Sequence, residues 1–381
     1  MRIDYLIVKN FKGFDSQEFN FHPQFNLIIG KNGTGKTSLL DALSVAMRSW
    51  FLGLRGTDSR HIKPHEVRLA HFPDQESGFN WENIYPCTVT AHGDIRERAL
   101  SWTRSLNTPH GRTTYIHATE IKRLAEQTDQ AIRSGHDIIL PLISYYGTGR
   151  LWQEPRETFL VSDPTQVIDK AEQSRLAGYK NSTDPRLSVN QLTRWITRQS
   201  WISFQQKNRI SPLFRTIKKA LISCLEEASN LSFDATLGEV VVEFPEGTQP
   251  FSNLSDGQRG MLAMVGDIAQ KAAKLNPHLG HEVLQKTPGV VLIDELDLHL
   301  HPRWQRRVID DLRRVFPKIQ FISTTHSPFL IQSLRPGELI NLDPANPTEY
   351  SNKSIEDITE EVMNVAMPQK KQTFHCHDEC G

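Results

Sequence analysis

Residues Gly30-Lys31-Asn32-Gly33-Thr34-Gly35-Lys36-Thr37 fit the pattern G-x-x-x-x-G-K-[ST], and that fit constrains the fold more than any other feature of the chain. Phe25-Asn26-Leu27-Ile28-Ile29 before it is a short apolar run that reads as a buried strand. Behind it, from Ser38 onward, Leu39, Leu40, Leu43, Ala46, Met47 and Trp50 recur on one helical face. Strand, glycine loop and helix in that order are the setting in which such a loop wraps a phosphate chain. Glycines permit the turns that point successive N–H groups inward, and the helix N-terminus adds positive potential. The stretch from Gly30 to Ser38 is therefore the candidate nucleotide-binding loop. Lys36 is expected at the β- and γ-phosphates of ATP, and the Thr37 hydroxyl is a candidate ligand for Mg²⁺. A chance glycine turn is the competing reading, and the elements on both sides count against it.

At 381 residues the chain can bury a sizeable core, and length alone suggests two or three domains. Lys plus Arg equals Asp plus Glu at 44 each, so no global field draws it to nucleic acid or an anionic membrane. Any such contact needs a local patch. Four cysteines, scattered except for Cys376 and Cys380, form no disulfide framework and suit a reducing compartment. The opening Met1-Arg2-Ile3-Asp4-Tyr5-Leu6 reads as a strand rather than a signal peptide, and no apolar run approaches the length of a membrane span. A soluble, cytoplasmic protein is the expectation.

Residues 3–29 read as strands with turns at Lys12-Gly13 and His22-Pro23, and 53–83 as loop. Cys87–Ala91 and Ala99–Thr103 read as a hairpin around Gly93-Asp94, Thr119–Arg133 as a helix, and Asp137–Tyr146 as a strand broken by Gly147-Thr148-Gly149-Arg150. From Leu151 to Pro250 the pattern is mostly helical, punctuated by Asp163-Pro164 and Asp184-Pro185. Between Arg186 and Leu225 there is no acid. Arg186, Arg194, Arg198, Lys207, Arg209, Arg215, Lys218 and Lys219 are interleaved there with Trp195, Trp201 and Phe204. One reading is a nucleic-acid surface of cations and stacking aromatics. The other, favoured by the helical spacing of Leu192, Trp195 and Ile196, is an amphipathic lobe with aromatics in the core and cations solvated or docking a protein.

Three further clusters carry chemistry. Leu254-Ser255-Asp256-Gly257-Gln258-Arg259 precedes the helical run Met261, Leu262, Met264, Val265 and Ile268, so Ser255 and Gly257 either cap that helix or present anion-binding groups at its N-terminus. Gly289-Val290-Val291-Leu292-Ile293 is a buried strand ending in Asp294-Glu295, one carboxylate for Mg²⁺ and one for a water. Ile319–Thr325 is another strand, with His326 at its end. Ligand sites of open α/β sheets lie at strand C-termini, so all four clusters can converge.

Taken in order, these motifs resemble the ABC-type ATPases, and within them the RecF/SMC-like branch. Lys9-Asn10-Phe11-Lys12-Gly13-Phe14 resembles that branch's N-terminal strand and turn, Glu295–Pro302 its D-loop, and Thr325-His326-Ser327-Pro328 its switch segment. Overall style, including Tyr145-Tyr146-Gly147-Thr148-Gly149-Arg150-Leu151-Trp152, is similar to the ATPases of Septu-type and retron-associated anti-phage systems, which work beside an HNH nuclease. Two departures stand out. No Q-loop glutamine is obvious, Gln153 being nearest and Arg150 a candidate for related space. The hundred or so residues between Leu151 and Ser255 are also too few for long coiled-coil arms, at ~1.5 Å per helical residue. The compact lobe is nearer to RecF-like or OLD-like ATPases.

The resemblance implies an α/β fold: a P-loop head of ABC type with a mixed sheet, an antiparallel β subdomain and a compact helical lobe. The expected division is an N-terminal ATPase lobe over 1–150, a helical insertion over 151–250, a C-terminal ATPase lobe over 251–345 and a tail over 346–381. It implies that Glu295 orients or deprotonates the attacking water, that His326 contacts the γ-phosphate or that water, and that Thr37 and Asp294 hold Mg²⁺. Ser255, Gly257 and Gln258 would close over ATP bound by a second head in a homodimer, and Asn10 and Lys12 would lie near the base or ribose. The implied function is an ATPase regulating an HNH-type nuclease partner in anti-phage defence. The alternative is a RecF-like DNA-repair ATPase acting on DNA directly. No HNH or Toprim constellation is present in the sequence. The cationic helix after Pro302 reads as an exposed face. His375-Cys376-His377-Asp378-Glu379-Cys380 reads as tail rather than a zinc site, because its residues are too close together to surround one ion.

Overall fold

The computed structural model describes residues 1–74, 78–151, 174–182, 184–207, 209–343, 350 and 353–363. Strands β1 (Arg2–Phe11), β2 (Phe14–Asn20) and β3 (Phe25–Ile29) lead into the glycine loop, and helix α1 (Lys36–Met47) leaves it. Two hairpins follow, β4 (Leu69–Asp74) with β5 (Gly78–Asn83) and β6 (Cys87–Ile95) with β7 (Arg98–Leu106). Helix α2 (Thr119–Arg133) and strand β8 (Leu142–Tyr146) come next. Helices α3 (Val189–Gln205) and α4 (Pro212–Ser223) then precede strands β9 (Asn230–Asp234), β10 (Glu239–Phe244) and β11 (Gly247–Pro250). The remainder runs α5 (Asp256–Leu275), α6 (Val283–Lys286), β12 (Gly289–Ile293), α7 (Pro302–Gln305), α8 (Val308–Val315), β13 (Ile319–Thr324), α9 (Pro328–Gln332) and β14 (Leu339–Asn341).

The central sheet has the order β14-β3-β13-β12-β8, and every neighbouring pair is parallel. Its sequence reason is plain: β3, β8, β12 and β13 are buried at every residue, as a parallel sheet covered on both faces requires. The register pairs Ile293 with both Tyr146 and Ser323, and Thr324 with Ile28. The four C-terminal ends are thus brought level at one edge. An antiparallel sheet, β2-β1-β6-β7, lies separately. Helix α1 packs on strands of both sheets, its apolar face buried throughout, and Trp102 of β7 donates its indole N–H to the Ala46 carbonyl at 2.9 Å. Among the described residues, no helix is long and apolar enough to cross a membrane.

Three local readings are corrected, and a fourth in part. The β6–β7 turn lies at Arg96-Glu97, both at positive φ (54° and 62°), rather than at Gly93-Asp94. Gly93 sits inside β6 because β1 passes so close that a Cβ there would meet the Arg2 carbonyl oxygen at 2.1 Å. The 53–83 loop contains the β4–β5 hairpin. Residues 230–250, within the stretch read as mostly helical, form the antiparallel sheet β11-β10-β9, consistent with the β-branched run Val240-Val241-Val242. Of the arginines beyond Pro302, Arg303, Arg306 and Arg314 are exposed as expected, but Arg313 is buried and pairs with Glu338 and Asp310, while Arg307 and Arg314 share Asp311. Gln153, Trp152, Asp163-Pro164 and the His375–Cys380 run lie outside the described residues.

Candidate nucleotide site

The loop after β3 is shaped by backbone conformations that side chains resist. Gly33 and Gly35 have φ of 87° and 99°, in the left-handed region. A Cβ on Gly35 would also lie 2.7 Å from Phe14 Cζ. The Thr34 hydroxyl donates to the Lys31 carbonyl at 2.9 Å and tightens the turn. Lys36 folds back under the loop, donating its ammonium to the carbonyls of Gly30 at 2.7 Å and Lys31 at 3.1 Å. Burial lowers its pKa, and the charges of Asp294 and Glu295 oppose that shift. The Lys31 ammonium pairs instead with Asp343, just past β14, at 3.3 Å.

The end of β12 meets this loop. The Thr37 hydroxyl, the second residue of α1, lies 3.2 Å from Asp294 Oδ2. Thr324, ending the adjacent β13, donates its hydroxyl to Asp294 Oδ1 at 2.6 Å and accepts from the Glu295 N–H at 2.7 Å. Asp297 accepts from the Thr325 hydroxyl at 2.6 Å and from the His326 N–H at 3.4 Å, which joins the turn after β12 to the segment after β13. Glu295 has φ of 50°, an unusual conformation for a long side chain, of the kind found where surrounding structure over-determines the backbone.

That surrounding structure is Arg150. Its guanidinium, 5% exposed, donates from Nη1 to the carbonyls of Gly147 (3.1 Å) and Asp294 (2.6 Å) and from Nη2 to the carbonyl of Glu295 (2.6 Å). Burial pushes its pKa down to about 10, against the opposing charges of Asp294, Asp297 and Glu295. The sequence pointed to Arg150 only as a neighbour of a missing glutamine. Its hold on two backbone carbonyls, like the bracing by Thr324 and Asp297, was not read. The available signal was an arginine in the glycine-containing turn that follows a buried strand.

The Ser255 segment stands apart from the loop. Ser255 is exposed and caps α5: its hydroxyl accepts from the Gln258 N–H at 3.3 Å, and Gln258 Oε1 accepts from the Ser255 N–H at 2.9 Å. Gly257 is pressed onto the turn after β12, where a Cβ would meet the His299 carbonyl oxygen at 2.3 Å. Among the described residues, no hydrogen bond or ion pair joins Ser255, Gly257 or Gln258 to residues 30–38. The His326 ring is exposed. Asn10 and Lys12 both have positive φ. Asn10 donates its amide to the Pro86 carbonyl at 3.0 Å, and Lys12 forms an ion pair with Asp41 of α1. Strand ends of one parallel sheet thus assemble a glycine loop, a lysine, a hydroxyl and two carboxylates, a set suited to phosphate chemistry.

Comparison with known proteins agrees. A family model described as AAA ATPase domain matches residues 154–331. The chain is 26% identical over 377 residues to the Escherichia coli protein named "Retron Ec83 probable ATPase", covering 86% of this chain and 69% of that one. It is 25% identical over 387 residues to "Retron Vc95 probable ATPase" of Vibrio cholerae, covering 88% and 72%. To "Septu protein PtuA" of Bacillus mycoides it is 25% identical over 347 residues, covering 88% of this chain but 40% of that protein. The model described as AAA domain matches residues 5–229, more than half of the chain, so the protein belongs to that family and is an ATPase.

Proposed function

We propose that this ATPase works as a pair of heads that close around ATP and part on hydrolysis, and that the cycle gates a partner nuclease in prokaryotic anti-phage defence. The observation that carries the reading is the Thr37 hydroxyl at 3.2 Å from Asp294, two residues 257 positions apart brought together beneath one loop. A hydroxyl and a carboxylate side by side are hard oxygen donors and fit Mg²⁺, which supplies charge neutralisation at the phosphates when bound. Thr37 and Asp294 would hold it. The amides of Gly30 to Ser38 and the Lys36 ammonium bind and orient the triphosphate. Glu295 takes a proton from the attacking water, and His326, across Asp297, orients that water or the γ-phosphate. Positioning and charge stabilisation are most of what phosphoryl transfer requires.

The two-head arrangement is supported by Ser255, an exposed cap at an exposed helix end that makes no bond to the loop of its own chain. Such an end is suited to the nucleotide of a neighbour. The defence setting is supported by relatives whose names place them in retrons and Septu systems. With no HNH or Toprim constellation in this sequence, cleavage falls to a partner. Glu295→Gln is the direct test. It should retain ATP binding, lower turnover roughly 10²–10⁴-fold, as for loss of a general base, and accumulate ATP-dependent dimers in light-scattering chromatography. Near-normal turnover would remove Glu295 from the base role, and a variant that stays monomeric in ATP would remove the two-head cycle.

A further inference from the structure

We propose that the C-terminal half of α3 is a binding platform for single-stranded nucleic acid, with Trp201 and Phe204 stacking bases while Arg194, Arg198, Lys207 and Arg209 hold phosphates. The inward face of α3 is fully accounted for. Leu192 and Ile196 are buried, and Trp195 packs edge-on against Phe214 of α4 at 5.4 Å. Gly266 of α5 leaves just enough room for Leu192, since a Cβ there would lie 2.5 Å from Leu192 Cδ1. Trp201 and Phe204 have no such berth. They are 54% and 70% exposed, although aromatic rings are the side chains that gain most from burial. Trp201 is nevertheless held in place, against Phe233 of β9 at 6.4 Å and edge-to-face with Phe204 at 6.4 Å and 86°.

The charge around the rings selects the ligand. Arg194, Arg198 and Trp201 follow one another at i, i+4 and i+7, one stripe of the helix, and all are exposed. Lys207 and Arg209 continue the exposed cations past the helix end. No acid occurs on α3. Among the described residues these four cations make no ion pair, whereas Arg307, Arg313 and Arg314 near α8 are all paired. The acids on the strands beneath are engaged elsewhere. Asp234 accepts from the Thr236 and Leu237 N–H groups, Glu239 from Ser252, and Glu243 from Asn230. Aromatics beside arginine also occur at protein interfaces, so what selects a polyanion is the run of cations on a helix that carries no acid. Cations flanking two exposed rings match a backbone-plus-stacking mode, which needs unpaired bases.

The test is fluorescence anisotropy with a fluorescein-labelled oligothymidylate of about twenty nucleotides, longer than the roughly 4–16 nucleotides such platforms cover. The same strand annealed to oligodeoxyadenylate serves as the duplex control, and ATP is absent. The single strand should bind more tightly than the duplex. Trp201→Ala with Phe204→Ala should weaken binding about tenfold or more, as loss of stacking predicts, with the salt slope unchanged. Arg194→Gln with Arg198→Gln should weaken it and flatten the slope by roughly 0.7 for each cation. All four side chains are exposed, so basal ATPase activity serves as the control for folding. Absence of binding at low salt, wild-type binding by both double variants, or preference for duplex would overturn the proposal. So would variants that bind oligothymidylate normally but lose association with an HNH subunit. Because no step involves hydrolysis, failure of the Glu295 assignment would leave this result untouched.

Discussion

Arg150 shows how one side chain can govern a site that it does not enter. It donates to the carbonyls of Asp294 and Glu295, so it fixes the backbone from which both carboxylates project, including the left-handed turn at Glu295. Its removal would leave buried carbonyls unpaired, at about 1–3 kcal/mol each, and free Glu295 to relax. Arg150→Met should therefore lower kcat at least tenfold while KM for ATP changes little, because Lys36 and the loop amides remain. Arg150→Lys should recover only part of that loss, since an ammonium cannot reproduce the planar fork that spans two carbonyls. Steady-state kinetics on both variants checks this, and an equal rise in KM would assign Arg150 to nucleotide binding instead.

Among the elements, α5 does most to connect the parts. Its first turn presses on the segment after β12 through Gly257. Its middle is tied to β8 by a buried polar group, in which Asp267 accepts from the Tyr146 hydroxyl and from Lys271 (2.6 Å each) and Lys271 reaches Ser144 at 3.3 Å. These contacts tie the helix that begins at Ser255 to β8, the strand ahead of Arg150. Ser255→Arg puts a bulky cation at the exposed cap without touching the loop. It should abolish ATP-dependent association while single-head ATP affinity stays within a few-fold of wild type, as equilibrium nucleotide binding and light scattering would report. Mixed with Lys36→Ala, it should restore at most one composite site per dimer. Full activity of Ser255→Arg would reduce the segment to a helix cap.

At the scale of the molecule, Trp50 sits where several parts meet. It is wholly buried just beyond α1, donates to the Tyr179 hydroxyl at 3.2 Å, and through Tyr179 reaches the Pro141 carbonyl at 2.8 Å ahead of β8. The helix leaving the glycine loop is thus packed against the segment that precedes α3 and the edge strand of the parallel sheet. Trp50→Ala removes that packing and should cost about 3–5 kcal/mol, read as a lower urea midpoint with an unchanged slope. A loss below about 1 kcal/mol would mean that these parts are stable independently of one another.

What the sequence by itself determined was local. Gly33 and Gly35 announce left-handed backbone, Lys36 and Thr37 supply groups that only a phosphate site uses together, and unbroken apolar runs announce strands buried on both faces. The common edge of those strands could be inferred because parallel strands must end alike. Tertiary structure decided the rest. The role of Arg150 was hidden because its partners are backbone carbonyls 144 and 145 positions away, and carbonyls carry no residue identity. Gly93 looked like a turn because sequence does not show which strand passes beside it. On α3 the spacing itself sets Trp195 on the face of Leu192 and Ile196, and Trp201 in line with Arg194 and Arg198. What spacing could not show is that Phe233 of β9 comes to hold Trp201 while leaving it 54% exposed, because the position of a distant strand is not written in the helix.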